Sequence, residues 1–530
     1  MSGFLERVVE DWLTKADERS YQLPFASYLA RSGHKVKYVS SHGALEHGKD
    51  IVSVSRDRRL HAYQLKAGNV NLNAWRNMEG EVREAATVPV EIPGMARRVP
   101  NRVFLVLSGR ITDSVRNQIA LINDDHETRG YAPIETIELP ELVGDFTRVF
   151  ESFFPAAIEP LHDLVRLYLR DGRGPQDKQT LFSVLEDVIG NPSGPIVAAR
   201  SLSNLVVAAE FAAAPYRRSG NHISIIDTWA IAACHVLRLA RLFSLRPIYW
   251  KQSLEFCRQA IESAGAHLLE EAFNREHFLE GEPLLDGAFA VHRRSIVFGY
   301  IGAIINSRCI RGTEARDDSA QLLKLLQREI PLGIWGEGAW NYHLNLALAL
   351  RHTPEGDSAS EVLIASWLGH VCPPKPPWPR DPYWALDDEL SLSRQREESA
   401  HQQAERSRIS YTAAGAVGFL TRRLLKNTLK PLWPNVSRYQ LAQLVPAEPW
   451  RELDWAIAEG CLELQVLPAT GSWSQLRTQA AAQRSCLLGE EEAWLLPYFL
   501  CTYAHRVTAA LSGELDFRTS PEAFRKEWTH

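Results

Sequence analysis

The most informative stretch of this sequence is GALEHGKDIVSVSRDRRLHAYQLKAG, residues 43–68. Its first residues almost match a phosphate-binding loop, with Gly43, four further residues, then Gly48 and Lys49. Such a loop needs Ser or Thr after the lysine to bind Mg²⁺, and it must begin a helix whose amides hold the phosphates. Here the next residue is Asp50, and the following IVSVSRD alternates with the period of a β-strand. The stretch therefore does not predict a nucleotide-binding loop.

A pair of strands explains the same residues better. Asp50 begins one strand, a charged turn reverses the chain, and Gln64 and Lys66 follow on the next strand. Side chains two residues apart on a strand share a face, and Asp50 can reach that face across the hairpin. The carboxylate and the amide oxygen are hard ligands that suit Mg²⁺ or Mn²⁺. The lysine can stabilise charge on a phosphate or lower the pKa of an attacking water.

The pattern on either side of the hairpin extends this interpretation to residues 1–155. Two amphipathic segments, the second ended by Gly33, precede three short β-rich runs. A helical segment, the apolar strand RVFLVL, another helical segment, the strand IETIEL and a last helix follow. This order predicts an α/β domain whose sheet begins with antiparallel strands.

The residues D50 and Q64-L-K66, in this order of elements, resemble the PD-(D/E)xK nuclease superfamily, and in particular its Mrr-type branch with a D…QxK motif. The resemblance implies a restriction-endonuclease-like fold in which Asp50 and Gln64 bind Mg²⁺ or Mn²⁺ and Lys66 completes the catalytic group. Asp, Gln and Lys on adjacent strands are also found on ordinary solvated sheet faces, which is the structural alternative.

Further candidate residues lie near the motif. The resemblance implies that Glu46 is an additional, outer-sphere catalytic acid and that Gln22, with Glu18 one turn earlier, is an accessory residue on the preceding helix. Three arginines in the hairpin turn are candidates for contacting DNA phosphates, although a charged turn is also typical of a solvated surface. These arginines are Arg56, Arg58 and Arg59.

The composition narrows the class of protein. The chain has 530 residues, of which 45% are hydrophobic and 23% charged, as in globular proteins. Its net charge of −5 gives no overall basic field, so a DNA-binding surface has to be local; the first 110 residues carry a mild excess of Lys and Arg.

The seven cysteines form no CxxC pair, which favours reduced thiols in the cytoplasm. The apolar windows VFGYIGAIIN and WAIAACHVLRLARLF are too short or too interrupted for membrane spans, so we expect a soluble, cytoplasmic protein with no membrane partner.

The remaining two thirds of the chain shows helical periodicity and predicts a large all-α region. The proline-rich run CPPKPPWPRDPYW and the charged run after it predict a connector within that region. The sequence therefore predicts four parts: a nuclease-like domain at 1–155, a helical domain at 156–371, a connector at 372–407, and a C-terminal helical domain at 408–530.

These observations favour a metal-dependent DNA endonuclease that hydrolyses phosphodiester bonds. By analogy with helical fusions in the superfamily, the resemblance implies an effector of prokaryotic restriction or antiphage defence that is regulated through its helical region. That region would bind a partner defence protein or a second copy of the chain. Two alternatives stay open: a non-enzymatic helical scaffold with a decayed nuclease fold, in which Gln64 marks the decay, and a nuclease acting on RNA or in DNA repair.

Overall fold

The computed structural model divides the chain into two compact units, Met1–Ser263 and Ala264–His530. It describes only part of each unit. The described residues are 2–40, 47–91, 96–149, 158–275, 278, 287–313, 315–328, 337–372, 409–410, 412–446, 453–454, 462–466, 472–483, 487–503 and 509–519.

The first unit opens with the predicted α/β order. Two helices precede three antiparallel strands, and helices and strands then alternate to the end of α5. The mixed α/β character of this region is therefore confirmed. The elements are α1 (Ser2–Lys15), α2 (Glu18–Arg31), β1 (Lys35–Val39), β2 (Ile51–Val54), β3 (Leu60–Lys66), α3 (Leu72–Thr87), β4 (Arg102–Leu107), α4 (Asp113–Arg129), β5 (Ile134–Ile137) and α5 (Leu139–Val149).

The five strands form one mixed sheet in the order β1-β2-β3-β4-β5. The first three strands are antiparallel, and β3, β4 and β5 are parallel. Helix α3 covers one face of the sheet: Trp75 packs against Leu105 in the buried core, and Ala62 of β3 packs against Ala85. Helix α2 covers the other face, where the ring of Phe25 lies 5.5 Å from that of Tyr63.

Five further helices lie wholly or partly in this unit. Helix α2 is hydrogen-bonded to one of these helices. Ser27 Oγ donates to the Ser203 carbonyl at 3.2 Å, and Arg31 donates to Asn204 Oδ1. The sheet region is therefore packed on a helical layer. The helices are α6 (Ile158–Tyr168), α7 (Lys178–Ile189), α8 (Pro195–Ser219), α9 (His222–Leu242) and α10 (Pro247–Asn274), the last of which begins in this unit.

Two of these helices, α8 and α9, could cross a membrane by length and composition alone, and α9 contains the window WAIAACHVLRLARLF. However, 72% of the most apolar window of α8 and 89% of that of α9 are buried inside the protein. Such burial is consistent with core helices of a soluble protein.

The second unit is mainly helical, as predicted, but it also contains a small sheet. Its helices are α11 (Gly287–Ile310), α12 (Arg316–Arg328), α13 (Trp340–Leu350), α14 (Pro354–Val371), α15 (Thr412–Arg422), α16 (Lys426–Leu429), α17 (Trp433–Val436), α18 (Trp473–Ala482), α19 (Leu496–Thr502) and α20 (Ala509–Thr519), with 3₁₀ turns at Glu337–Ala339 and Ala493–Leu495. The strands are β6 (Ile409–Ser410), β7 (Gln440–Pro446) and β8 (Leu462–Val466).

The prediction of an all-α region was therefore wrong for β6, β7 and β8. Strands β7 and β8 pair antiparallel, with Ala442 opposite Val466. A run of seven residues such as QLAQLVP is too short for its spacing of apolar residues to distinguish a helix from a strand. The predicted connector, 372–407, lies outside the described residues except for Cys372, and the predicted four-part division remains a prediction.

Candidate active site

The β2–β3 hairpin brings the predicted motif together. Ile51 pairs with Tyr63, so the next position toward the strand end places Asp50 opposite Gln64. Residues opposite each other in an antiparallel pair share a face, and this face is the one covered by α3. The Asp50 amide donates to the Tyr63 carbonyl at 2.9 Å, and Asp50 Oδ2 accepts a hydrogen bond from the Leu65 amide at 2.6 Å. Strand pairing thus fixes the carboxylate beside the QxK segment.

Gln64 is held by a residue that the motif did not include. Its Nε2 donates to Glu81 Oε2 on α3 at 2.9 Å. Because a carboxylate can only accept, this bond assigns the nitrogen and oxygen of the amide. The remaining atom, Gln64 Oε1, is buried and has no hydrogen-bond partner among the described residues. A buried amide oxygen without a donor is costly for folding, and a bound cation is one way to satisfy it.

Lys66 lies between two carboxylates. Its Nζ is 3.2 Å from Glu81 Oε2 and 3.6 Å from Glu18 Oε1, and its side chain is 23% exposed. Burial by itself lowers the pKa of Lys66, but Glu18, Glu81 and Asp50 together raise it above the usual lysine value. Lys66 is therefore a cation at neutral pH and cannot act as a general base there.

The accessory residues of α2 have different positions. The predicted residue Glu18 reaches the site through Lys66, whereas Gln22 is buried and contacts only main chain. Gln22 Nε2 donates to the Asp50 carbonyl at 3.2 Å and to the Ser40 carbonyl at 3.3 Å. Gln22 therefore positions the backbone at Asp50. Neither of these two hydrogen bonds involves the Asp50 carboxylate.

The loop before Asp50 is fitted closely against α3. Gly48 has φ +69°, and a Cβ at this position would lie 2.0 Å from the Glu81 carbonyl oxygen. The next residue, Lys49, is 3% exposed, and its Nζ donates to the carbonyls of His47 and Glu84 at 3.2 and 3.4 Å. Burial lowers the pKa of Lys49 to about 8. The backbone that positions Glu81 is thus in direct contact with the loop that positions Asp50.

The other predicted residues are not part of this group. Glu46 lies outside the described residues. The three arginines of the hairpin turn are exposed and lie at the opposite end of β3 from Gln64 and Lys66, roughly 13–20 Å away along the strand. These are Arg56, which lies over Gly33, Arg58, and Arg59, whose Nε is 3.0 Å from Asp57 Oδ2. Their contact with DNA remains a prediction.

Glu81 is the residue of this candidate site that the sequence analysis missed. It lies three residues after the buried Met78 and four before the buried Ala85, so the helical period places it beside the face that α3 turns to the sheet. A charged residue at the edge of such a face was the available signal. The motif gave no indication of it because the contact joins a helix to a strand 17 residues earlier in the chain.

The donors at this site match the chemistry of a hard divalent cation, because the Asp50 carboxylate and Gln64 Oε1 are both oxygen ligands. Within the described parts of the chain, no group of three or more His, Cys, Asp or Glu side chains is arranged to hold a metal ion. The match therefore rests on one carboxylate and one amide oxygen. No protein-family model, curated protein or solved structure matches this chain.

Proposed function

We propose that the N-terminal α/β region is a metal-dependent nuclease domain of the PD-(D/E)xK type that hydrolyses phosphodiester bonds in DNA. One observation carries the proposal. The Asp50 carboxylate and the Lys66 ammonium lie at the adjacent ends of two strands, together with Gln64 Oε1, which is buried and has no partner in the part of the chain that the structure describes. These are an anion, a neutral oxygen donor and a permanent cation, which are the groups that hydrolysis of a phosphodiester requires.

Each residue has a defined task in this proposal. Asp50 and Gln64 would hold Mg²⁺ or Mn²⁺, which when bound polarises the phosphate and makes a coordinated water more acidic. Lys66 stabilises the negative charge that develops on the phosphate oxygens as the water oxygen bonds to phosphorus and the ester P–O bond breaks. Glu81, whose side chain is 54% exposed, contacts both Gln64 and Lys66, and we assign to its carboxylate the proton that the water loses.

The scaffold alternative also has an observation in its favour. Lys66 already pairs with Glu18 and Glu81, and Asp50 already accepts a hydrogen bond from Leu65. A decayed site would be satisfied internally in this way. The buried oxygen of Gln64 favours the enzyme, because it has no donor within the described residues and a bound metal ion would satisfy it.

The biological setting that accompanies this proposal is cytoplasmic restriction or antiphage defence, with the helical part of the chain regulating the nuclease through a partner protein or a second copy. An RNA or repair nuclease would use the same residues, so the substrate has to be determined directly. Comparing cleavage of plasmid, linear duplex, single-stranded DNA and RNA by one preparation makes that distinction.

The main test is cleavage of plasmid by the full chain with Mg²⁺ or Mn²⁺ against EDTA. Lys66→Ala and Asp50→Ala should each reduce the rate more than about a hundredfold, because one removes the cation facing the phosphate and the other a metal ligand. Lys251→Ala, which alters an exposed lysine of α10, is the matched control and should cut like the wild type. Equal cutting by wild type and Lys66→Ala would assign the activity to another site, and no cutting of any nucleic acid would favour the scaffold.

Gln64→Glu gives a second readout that does not depend on activity. The Gln64 amide donates to Glu81 at 2.9 Å, so a glutamate at position 64 would face a second carboxylate at that distance. Two carboxylates in contact repel unless a proton or a cation lies between them. Mg²⁺ should therefore raise the melting temperature of Gln64→Glu more than that of the wild type, and an equal response would contradict the assigned metal site.

A further inference from the structure

One edge of the sheet in the first unit carries an excess of positive charge. Strand β1 is the first strand in the sheet order, and its residues Lys35 and Lys37 are both exposed. The β2–β3 turn adjoins the beginning of β1, because Lys35 lies opposite Val54 at the end of β2. This turn contributes the exposed residues Arg56 and Arg58. We call these two lysines and two arginines the basic edge.

No carboxylate of the described residues neutralises the basic edge. The acidic residue of the turn, Asp57, is already paired with Arg59, whose Nε lies 3.0 Å from Asp57 Oδ2. Within the described parts of the chain, none of the four members of the basic edge pairs with a carboxylate. The whole chain has a net charge of −5, so this excess is local. A local cationic surface of this kind attracts a polyanion.

Two members of the basic edge are in contact with each other despite their like charge. The pairing of β1 with β2 is irregular between Val36 and Tyr38, which leaves Lys37 outside the regular register. The side chains of Lys35 and Lys37 are in contact, and partial burial together with the neighbouring ammonium lowers the pKa of Lys37. Like charges in contact destabilise a sheet edge. A bound anion would remove this cost by lying against both lysines.

The basic edge extends from the turn toward the candidate active site. Asp50 and Val54 are an even number of residues apart on one extended segment and therefore share a face of the sheet. Lys35 is opposite Val54, so it lies on that face too. The other end of β1, at Val39, pairs with Ile51 beside Asp50. The lysines of β1 thus lie between the arginines of the turn and the proposed metal site.

We propose that the basic edge binds the phosphodiester backbone of a DNA duplex and leads it to the site at Asp50 and Lys66, an inference that rests on the proposed nuclease function. Phosphate contacts by Lys and Arg supply much of the affinity of proteins for DNA without reading its sequence. The turn lies roughly 13–20 Å from Gln64 and Lys66 along β3. At about 3.4 Å per nucleotide of each strand, a duplex held at the turn reaches the site after about 4–6 nucleotides.

The test measures binding without cleavage, so its result is separate from that of the nuclease assay. The full chain in EDTA is titrated against a short fluorescein-labelled DNA duplex, and binding is followed by fluorescence anisotropy at several NaCl concentrations. The double variant Lys35→Gln/Lys37→Gln should bind at least about tenfold more weakly. Its salt slope should be less negative by about 2, because each lost phosphate contact removes about 0.9 from the slope.

The matched control is Arg246→Gln/Lys251→Gln, which removes two exposed cations from the helical layer and changes the net charge equally. It should bind DNA like the wild type. Because Lys35→Gln/Lys37→Gln removes a contact between like charges, its melting temperature should be no lower than that of the wild type. Duplex RNA and poly-glutamate, titrated in the same way, distinguish DNA from another phosphodiester and from an acidic polypeptide.

Several results would overturn the proposal. The wild type could fail to bind the duplex at low salt, the lysine variant could keep the wild-type affinity and salt slope, or the control variant could lose as much. Binding of RNA or poly-glutamate as tightly as DNA would also contradict it. A lysine variant that self-associates but binds DNA normally would show that these lysines only protect the sheet edge from pairing with another strand. DNA binding that depends on the two lysines, without cleavage in Mg²⁺, would support the basic edge and count against the proposed catalysis.

Discussion

Two ion clusters in this protein have opposite designs. One has a cation between two carboxylates in the first unit, and the other has a carboxylate between arginines in the second. We name them the Lys66 cluster (Lys66, Glu18 and Glu81) and the Asp516 cluster (Asp516, Arg422 and Arg423). The side chains of Glu18 and Glu81 are 36% and 54% exposed, whereas those of Asp516 and Arg422 are 0% and 1% exposed.

The difference in exposure separates exchangeable charges from structural ones. An exposed ion pair contributes about 0–1 kcal/mol to stability, because water solvates the separated charges well. A buried charge that loses its partner costs several kcal/mol, because nothing else nearby can solvate it. The Lys66 cluster can therefore exchange partners for a metal ion or a phosphate, whereas the bonds within the Asp516 cluster have to persist for the unit to stay folded.

The largest effect is expected from Asp516→Asn, which leaves the buried Arg422 without its carboxylate. We expect the free energy of unfolding to fall by about 3–5 kcal/mol, measured by urea denaturation at neutral pH. Asp357→Asn is the matched control, because its carboxylate pairs with Arg351 at the surface; it should cost about 1 kcal/mol or less. Equal losses in the two variants would show that burial does not separate the clusters.

The next effect concerns Lys49, a buried lysine next in sequence to Asp50. Its pKa is lowered to about 8, so between pH 8 and roughly 10.4 the unfolded chain binds more protons than the folded one at this residue. Stability should rise with pH across that window, by up to about 1.4 kcal/mol per pH unit. Melting of wild type and Lys49→Met from pH 7 to 10 checks this, because the variant lacks this contribution. Parallel pH profiles would contradict the assigned burial of the charge.

A smaller effect is expected from Gly48→Ala. The positive φ and the contact of the new Cβ with the Glu81 carbonyl should together cost about 1–3 kcal/mol in unfolding free energy. Because this contact would displace the backbone of Glu81, a member of the Lys66 cluster, the variant should also weaken nuclease activity. Gly80→Ala, next to Glu81 on α3, is the comparison: an added Cβ there meets open space, so this variant should stabilise the protein by about 0.5–1 kcal/mol. Similar losses in both variants would mean that the loop does not contact α3 as described.

The hairpin could be predicted from sequence because its signals are local. The alternation of IVSVSRD and the QxK spacing place Asp50, Gln64 and Lys66 on one face, and the observed register agrees. The charged turn could also be predicted from the sequence. Its distance from Gln64 and Lys66 could not, because that distance depends on the length of β3. The nuclease activity itself remains a prediction.

Long-range contacts could not be predicted in the same way. Glu81 joins the site because α3 packs across β3, and one sequence contains no signal for that packing angle. Strands β7 and β8 were missed because they pair across a segment far longer than a hairpin turn. The Asp516 cluster joins α15 to α20 across more than 90 residues, so charge pattern alone could not indicate it.

The smallest effect, and the one that most directly defines the Lys66 cluster, is expected from Glu18→Gln. The Glu18 carboxylate is 3.6 Å from Lys66 Nζ and is partly exposed, so we expect a loss of about 0.2–1 kcal/mol that shrinks further in 1 M NaCl. Glu81→Gln should have a comparable effect on stability but a larger one on cleavage, because Glu81 contacts both Gln64 and Lys66 whereas Glu18 contacts only Lys66 of that pair. Urea denaturation at two salt concentrations and plasmid cleavage by both variants measure this. A loss above about 3 kcal/mol for Glu18→Gln would mean that the Lys66 cluster is as structural as the Asp516 cluster, and its charges would then not be free to exchange partners with a metal ion or a phosphate.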